Sequence, residues 1–353
     1  MVKSRYSLTL DLNIALQSVT MSETILVTGA SGFLASHIIR IFLEAGYNVR
    51  GTVRSTSTTE RVRARYPQFA DQLSFAIVPD IAVPGAFNEA VNGVTGVIHT
   101  ASPFALEVAD NEKDLLQPAI QGTLNIVEAV AEHGLGVRRV VVTASFASML
   151  DLDQGFRPGY RYTEADWNPC SYEKARTTSS ATMAYCASKA LAEKALWDWV
   201  SEKKPAFGVT TICPPWIFGP TVDEGSTKLN ESTEVIWNLI NGSLAGVPDN
   251  DFAAFVNIHD AAAAHLRAYE NERAAGERFI VSGGQFVKQE ACDIIRRRFP
   301  GLRDRVPKGV TGDYIETYIA DGSKARDILG LEYRDLEMTL VEAVEDLLTK
   351  QSS

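Results

Sequence analysis

Tyr185 and Lys189 stand four residues apart in the run Tyr185-Cys186-Ala187-Ser188-Lys189. On a helix, positions i and i+4 share a face, so a phenol and an ammonium at this spacing can meet. A free phenol titrates near pH 10, and lowering that value by ~3 units takes about 4 kcal/mol of differential stabilisation. A neighbouring Lys⁺ and a second cationic group could supply it together, which makes the pair a candidate proton donor for an oxygen that gains charge. Reduction of a carbonyl by hydride also needs a hydrogen-bond donor on the developing oxyanion. The run Val142-Thr143-Ala144-Ser145-Phe146-Ala147-Ser148 offers Ser145 for that task, with Thr143 and Ser148 as competitors and a simple serine turn as the structural alternative. Tyr-x3-Lys recurs by chance in many helices, so its weight depends on what surrounds it.

What surrounds it begins near the N-terminus. The short apolar run Thr24–Thr28 leads into Gly29-Ala30-Ser31-Gly32-Phe33-Leu34-Ala35, followed by a helical pattern to Ala45. Strand, glycine-rich turn and helix in that order form a phosphate cradle. Gly29 permits the tight turn, and Gly32 lets the backbone approach a pyrophosphate resting on the helix N-terminus. Ala35 replaces the usual third glycine and is still small enough for close helix–strand packing. A plain strand-to-helix turn would use the same residues, but the position after the first strand favours a dinucleotide.

An NAD site wants an acidic residue about 20 residues further on, to accept the ribose 2′-hydroxyl. None occurs between Glu44 and Glu60. Instead Arg54 closes the second strand candidate, and a guanidinium suits bidentate contact with a 2′-phosphate. The expected cofactor is therefore NADP(H). Arg61, Arg63 and Arg65 read better as a solvated basic face. Asp80 and Ile81 end the third strand candidate, where the carboxylate could accept from an adenine amino group or simply make a turn.

These residues need a frame that positions them. Tyr47–Val53, Leu73–Val78, Gly96–Thr100, Val140–Thr143 and Val209–Cys213 read as further strands. Helical patterns at Thr58–Tyr66, Ala86–Val91, Leu115–Glu132 and Ala181–Glu202 separate them. The alternation implies an α/β fold, a Rossmann-type doubly wound parallel sheet with right-handed crossovers. After Pro220 the rhythm changes to acidic, Gly- and Ser-containing segments with isolated helices at Glu234–Leu239, Ala261–Asn271, Gln289–Phe299 and Met338–Thr349. That region is expected to extend the sheet little and to cap the carboxyl ends of the strands, where ligands of open α/β sheets bind. The expected division is 22–216 as the NADP-binding part, with 251–285 returning to it, and 217–250 with 286–350 as a smaller substrate-binding cap.

Composition narrows the class. The chain has 353 residues, 34 Lys+Arg against 44 Asp+Glu, a formal charge of −10 and a hydrophobic share of 45%. That is an ordinary globular balance, and its acidity disfavours nucleic acid, whose affinity rests on clustered cations. No apolar run approaches the ~20 residues of a membrane span. Cys170, Cys186, Cys213 and Cys292 show neither a disulfide nor a metal-ligand spacing, which fits a reducing compartment such as the cytoplasm and leaves no metal site. Residues 1–21 lack a continuous signal core, Met21 could serve as a start, and the segment is expected to be a disordered extension.

Taken together, these residues resemble the extended short-chain dehydrogenases/reductases, and within them the dihydroflavonol-reductase-like carbonyl reductases. Besides the turn and Tyr-x3-Lys, the resemblance includes His99-Thr100-Ala101-Ser102-Pro103-Phe104, Gly122-Thr123-Leu124-Asn125, Pro214-Pro215-Trp216-Ile217-Phe218-Gly219-Pro220 and Ser323-Lys324-Ala325-Arg326. It covers about Ser22 to Leu348. The resemblance implies a triad of Ser145, Tyr185 and Lys189, in which Ser145 polarises the carbonyl, Tyr185 donates the proton and Lys189 lowers the tyrosine pKa and holds the nicotinamide ribose. It further implies cofactor contacts from residues 29–34, Arg54, Asp80, Ile81, Ala101, Ser102, Pro214 and Ile217. A pocket of Phe104, Phe146, Leu150 and Trp216 would suit aromatic or medium-sized aldehydes and ketones, although each of these could equally fill core. Related reductases occur as monomers and homodimers.

Departures from the pattern narrow it further. Pro118 stands where many such enzymes carry a fourth catalytic Asn. The tyrosine lies in Thr182-Met183-Ala184-Tyr185-Cys186-Ala187-Ser188-Lys189, unlike the Lys-Asn-Trp-Tyr-Cys-Tyr-Gly-Lys of plant cinnamoyl-CoA reductases. Leu150 replaces the Asn that dihydroflavonol reductases use for their flavonoid, and Thr58 stands where fungal members often carry a Lys. The fungal NADPH-dependent aldehyde and methylglyoxal reductases fit best. A nucleotide-sugar epimerase or dehydratase and a non-catalytic NADP(H) sensor are the other readings of the same scaffold.

Overall fold

The computed structural model describes residues 23–102, 108–222 and 229–351. Residues 1–21 and Phe104, both subjects of the sequence reading, lie outside them.

β1 (Thr24–Thr28) is a continuous apolar strand, and its central Ile25, Leu26 and Val27 are wholly buried. Such a strand persists only where both faces of the sheet are covered. Ile25 and Val27 join one apolar layer and Leu26 the opposite one, as the two-residue period of a strand requires. Removing each such side chain from water contributes about 1.5–3 kcal/mol. α1 (Phe33–Glu44) follows directly and buries Leu34, Ile38, Ile39 and Phe42 against the first layer. Then come β2 (Asn48–Val53), α2 (Thr56–Ala64), β3 (Leu73–Ile77) and β4 (Gly96–His99).

Between β3 and β4 the expected helix at Ala86–Val91 does not form; the segment is a series of turns. Phe87, Ala90 and Val91 are buried at helix-like spacing, which produced the misleading period. Gly85 and Gly93, both at positive φ, bend the chain on either side and keep it from winding further.

A π-helical turn at Glu112–Leu116 opens α3 (Gln117–His133), which leads to β5 (Arg139–Thr143). β6 (Arg161–Tyr162) and α4 (Tyr172–Thr177) precede the long α5 (Ala181–Lys203). Ser180 caps α5 by accepting from the Met183 amide at 3.2 Å, and Lys204 ends it in the left-handed region. β7 (Gly208–Cys213), β8 (Trp216–Phe218), α6 (Glu231–Ile240), β9 (Ala254–Asn257), α7 (Ile258–Glu270) and β10 (Glu277–Ile280) complete the middle of the chain. β11 (Gly284–Gln285), α8 (Lys288–Arg298), β12 (Ile319–Ala320), α9 (Ser323–Leu329) and α10 (Leu336–Gln351) follow.

Seven strands form one parallel sheet in the order β10-β7-β5-β4-β1-β2-β3. The order reverses beside β1, so the crevice past the ends of β1 and β4 is the ligand position of a doubly wound sheet. After Pro220 the chain adds a single strand to this sheet, β10 beside β7, which falls within residues 251–285. A buried ion pair fixes that edge. Arg278 on β10 donates to both carboxylate oxygens of Glu193 on α5, at 2.8 and 3.1 Å, and its guanidinium stacks 3.5 Å from the Trp167 ring centroid.

α7 and α9 pack into the first apolar layer, whereas α6, α8 and α10 pack together in a smaller unit with its own apolar core. Two short sheets, β11-β9-β8 and β12-β6, join it to the main body. Among the described residues no helix is long and apolar enough to cross a membrane.

Candidate functional site

The turn after β1 is built for close approach. Gly29 has φ +67°, and a Cβ there would come 3.1 Å from the Ala101 backbone, so both conformation and space demand glycine. Its amide donates to the Thr52 hydroxyl at 3.0 Å, and the Ala30 amide donates to the Thr52 carbonyl at 2.9 Å, tying the turn to β2. No side chain caps α1, and its first turn carries no acidic residue. The Gly32 amide closes the turn on the Gly29 carbonyl at 2.9 Å, and the next N–H groups, of Phe33 and Leu34, stand at the positive end of the helix dipole, an arrangement that suits an anion.

A small network positions the strand end opposite. Thr28 Oγ1 accepts from the Thr100 and Ala101 amides, both at 3.0 Å, which leaves its own proton for His99 Nδ1 at 3.0 Å. Burial lowers the His99 pKa to about 3, so the ring is a neutral acceptor there. His99 and Thr28 therefore hold Ala101 and Ser102 against the glycine turn. In the same way Asn125 donates to the Ile81 carbonyl at 2.8 Å and to that of Val83 at 3.0 Å, fixing the loop beyond β3.

Arg54 is exposed just past the end of β2. Asp80 is also exposed, and its Oδ1 accepts from the Ala82 amide at 2.8 Å, the turn geometry weighed as its alternative. Arg50 is occupied elsewhere, donating to the carbonyls of Ala90 and Asn92 at 2.9 and 2.6 Å. Arg65 behaves differently from the solvated face expected for it. With Lys350 it borders a cleft of about 120 Å³ that also touches Ser31, Gly32 and Phe33. The helical pattern grouped Arg65 with its exposed neighbours, and Lys350 had no local signal because α10 arrives from the far end of the chain.

Tyr185, Ser145 and Lys189 do converge. Ser145 ends β5 and accepts from the Ala147 amide at 3.2 Å, which caps the turn Phe146–Ser148. Tyr185, in the second turn of α5, is in hydrogen-bond contact with Ser145. Lys189 lies one turn on, with its ammonium 5.5 Å from the Tyr185 ring centroid and donating to Ser102 Oγ at 2.6 Å. Thr143, a competitor for the role of Ser145, instead bonds His265 at 2.7 Å, and Ser148 is wholly buried. Pro118 lies in the first turn of α3, which offers no side-chain donor at that position.

The expected lowering of the phenol pKa does not arise from the protein by itself. Burial raises it most, the nearby Cys186 adds to the rise, the bond with Ser145 opposes it and the Glu231 charge raises it again. The phenol is therefore held protonated. Burial moves Lys189 the other way, down to about 8.

In front of Ser145 and Tyr185 lies a cavity of about 320 Å³. Phe146, Leu150 and Trp216 line it as the sequence suggested, joined by Val235 and Phe252. Phe146 and Leu150 are also core residues, and Phe146 packs edge-on against Tyr162 at 5.5 Å. Pro214 is buried behind the cavity and its carbonyl accepts from the Phe146 amide at 3.0 Å, while Pro215 lines the space. Ile217 packs against the first apolar layer. Sequence reasoning missed Glu231, Glu234, Asn238 and Asp251, which form the other wall. Nothing local marks them, because α6 and the loop before β9 reach the site only through the tertiary fold. Among the described residues no cluster of three His, Cys, Asp or Glu side chains could hold a metal ion.

The family model described as "NAD dependent epimerase/dehydratase family" matches residues 25–282. The chain belongs to this family. Within the family, it is 32% identical over 341 residues to the NADPH-dependent methylglyoxal reductase of Saccharomyces cerevisiae, covering 92% of this chain and 98% of that protein. It is 33% identical over 339 residues to a ketoreductase of Aspergillus niger, covering 93% and 98%. The crystal structure of yeast methylglyoxal/isovaleraldehyde reductase complexed with NADPH superposes with a TM-score of 0.89 at 31% identity, covering 93% of this chain and 99% of that one. The family name cites NAD, yet this member carries Arg54 where an acidic residue would receive an unphosphorylated ribose.

Proposed function

We propose that the protein is an NADPH-dependent reductase of aldehydes or ketones. The observation that carries the reading is the contact between Ser145 and Tyr185 at the end of a largely apolar cavity, with Lys189 one helical turn away.

The residues present suit the cofactor. The uncapped start of α1 at Gly29–Leu34 would receive its pyrophosphate, and Arg54 its 2′-phosphate. Asp80 and Ile81 would contact its adenine end, and Ala101, Ser102, Lys189, Pro214 and Ile217 its nicotinamide end. When bound, NADPH supplies the hydride. Tyr185, kept protonated by its surroundings, donates its proton to the carbonyl oxygen, and Ser145 holds that oxygen by a second hydrogen bond. Lys189 anchors on Ser102 and keeps a positive charge beside the tyrosine as it loses its proton. Phe146, Leu150, Trp216 and Phe252 exclude water and favour an apolar substrate body. The proposal includes a cap formed by 217–250 and 286–350, cytoplasmic location in keeping with four free buried cysteines, and a monomer or homodimer.

The decisive experiment follows NADPH absorbance while aldehydes, ketoesters and diketones are added, with NADH in parallel. A reductase consumes one NADPH per carbonyl reduced, whereas an epimerase regenerates its cofactor and shows no net consumption. Tyr185→Phe should lower kcat at least ~100-fold with NADPH binding nearly unchanged. Full activity in that variant would remove Tyr185 from the mechanism.

A further inference from the structure

The cavity beside Ser145 and Tyr185 has two unlike walls. One is apolar, formed by Phe146, Leu150, Trp216 and Phe252. The other carries three carboxylates, those of Glu231 and Glu234 on the first turn of α6 and of Asp251 before β9. Asp251 is already matched, accepting from Lys288 Nζ at 2.9 Å and from the Trp216 indole at 3.3 Å. Glu231 and Glu234 are exposed, and neither has an ion-pair partner among the described residues. The described lining contains no Lys, Arg or His.

Acidic residues in a first helical turn have a structural use, since they complement the helix dipole. Asn230, however, already caps α6 by accepting from the Thr233 amide at 3.1 Å. The dipole also does not require that the stripe facing the cavity be polar. Ile236, Leu239 and Ile240 put the apolar stripe of α6 into the core, while Glu231, Glu234 and Asn238 follow the helical repeat along the cavity side. Glu231 reaches the reacting centre electrostatically, since its charge is one of the influences that keep the Tyr185 phenol protonated.

We propose that Glu231 and Glu234 set a charge preference on the substrate: carbonyl compounds whose remote end is cationic are favoured, neutral ones follow, and those bearing a carboxylate or phosphate are disfavoured. This deepens the carbonyl-reductase reading and rests on it. An ammonium group seated against these carboxylates would also face Trp216 and Phe252, whose rings stand 5.7 Å apart at 67° and can hold a cation on their faces. Opposing charges in a solvent-connected cavity act modestly and are screened by salt.

The test uses three para-substituted benzaldehydes of similar size, bearing a trimethylammoniomethyl, a neopentyl or a carboxymethyl group. At low ionic strength kcat/KM should fall in that order, with a cation-to-anion ratio on the order of tenfold that shrinks in ~0.5 M salt. In the double variant Glu231→Gln, Glu234→Gln the ratio should approach one. Because the ratio is taken within one protein sample, loss of folded enzyme cancels. A ratio near one in the native protein, or one that survives the double substitution, overturns the charge preference. Failure to reduce even the neopentyl compound or any other carbonyl in the NADPH screen instead overturns the reductase reading beneath it.

Discussion

Tyr185 and Lys189 share one face of α5, yet burial moves their proton affinities in opposite directions because one is neutral and the other charged when protonated. Lys189, lowered to about 8, carries its charge below that pH and loses it above. For reduction, kcat/KM should therefore decline as pH rises past about 8, and Lys189→Arg, charged throughout the range, should remove that limb even if its rate is lower. A profile flat well above that value would show that the lysine charge is not used. At the other end of the site, Arg54→Glu should raise KM for NADPH and narrow the preference over NADH, and an unchanged ratio would remove Arg54 from the site. Why these residues were legible is plain: Tyr185 and Lys189 lie within one helical turn, and Ser145 and Arg54 each follow a strand that the apolar pattern reveals. Glu231, Asp251 and Lys350 were not, because they come together only through elements distant in sequence.

At the scale of elements, the apolar pattern resolved β1 to its ends because a doubly covered strand must be apolar throughout. It failed at Ala86–Val91, where three buried residues imitate a helix that Gly85 and Gly93 bend away. It also gave no notice of the tie between α5 and β10. Glu193 looks like an ordinary surface charge in the sequence, yet it is buried and bonded to Arg278 and to the Thr211 hydroxyl at 2.7 Å. Arg278→Leu leaves that carboxylate buried without its main partner, and such a change costs about 3–5 kcal/mol. The urea midpoint should fall accordingly, and α5 should lose part of the rigidity that aligns Tyr185 with Ser145. A variant as stable as the parent would show that the pair is not needed to seat α5.

On the scale of the whole molecule, the acidic balance excludes one kind of phosphate partner while hiding another. Between Arg50 and Arg65 five arginines face one glutamate. The structure sorts them by role, since Arg50 braces backbone carbonyls, Arg61 is exposed on α2, Arg63 lies 5.5 Å over the Phe75 ring, Arg65 borders the glycine-turn cleft and Arg54 is exposed at the end of β2. Three histidines add a pH limit that no composition figure contains. Burial is the largest influence on each, lowering His37 and His99 to about 3 and His265 to about 4. Each is seated by a specific bond: His37 donates to the Pro220 carbonyl at 2.9 Å, and His265 donates from Nδ1 to the Ala261 carbonyl and accepts the Thr143 hydroxyl at Nε2, both at 2.7 Å. In the unfolded chain these rings titrate near 6.5, so between that value and about 3 or 4 the unfolded state binds more protons than the folded one. Stability then rises with pH across this window and is lost as pH falls below about 6.5, by up to ~1.4 kcal/mol per unit for each histidine. Urea midpoints taken from pH 7 to pH 4 should show this decline. His259 is lowered by burial as well. His265→Gln removes one of these titrations, so its curve, although lower at pH 7, should fall less steeply in the part that histidines contribute. Parallel curves for the two proteins would mean that His265 is not held neutral in the folded state.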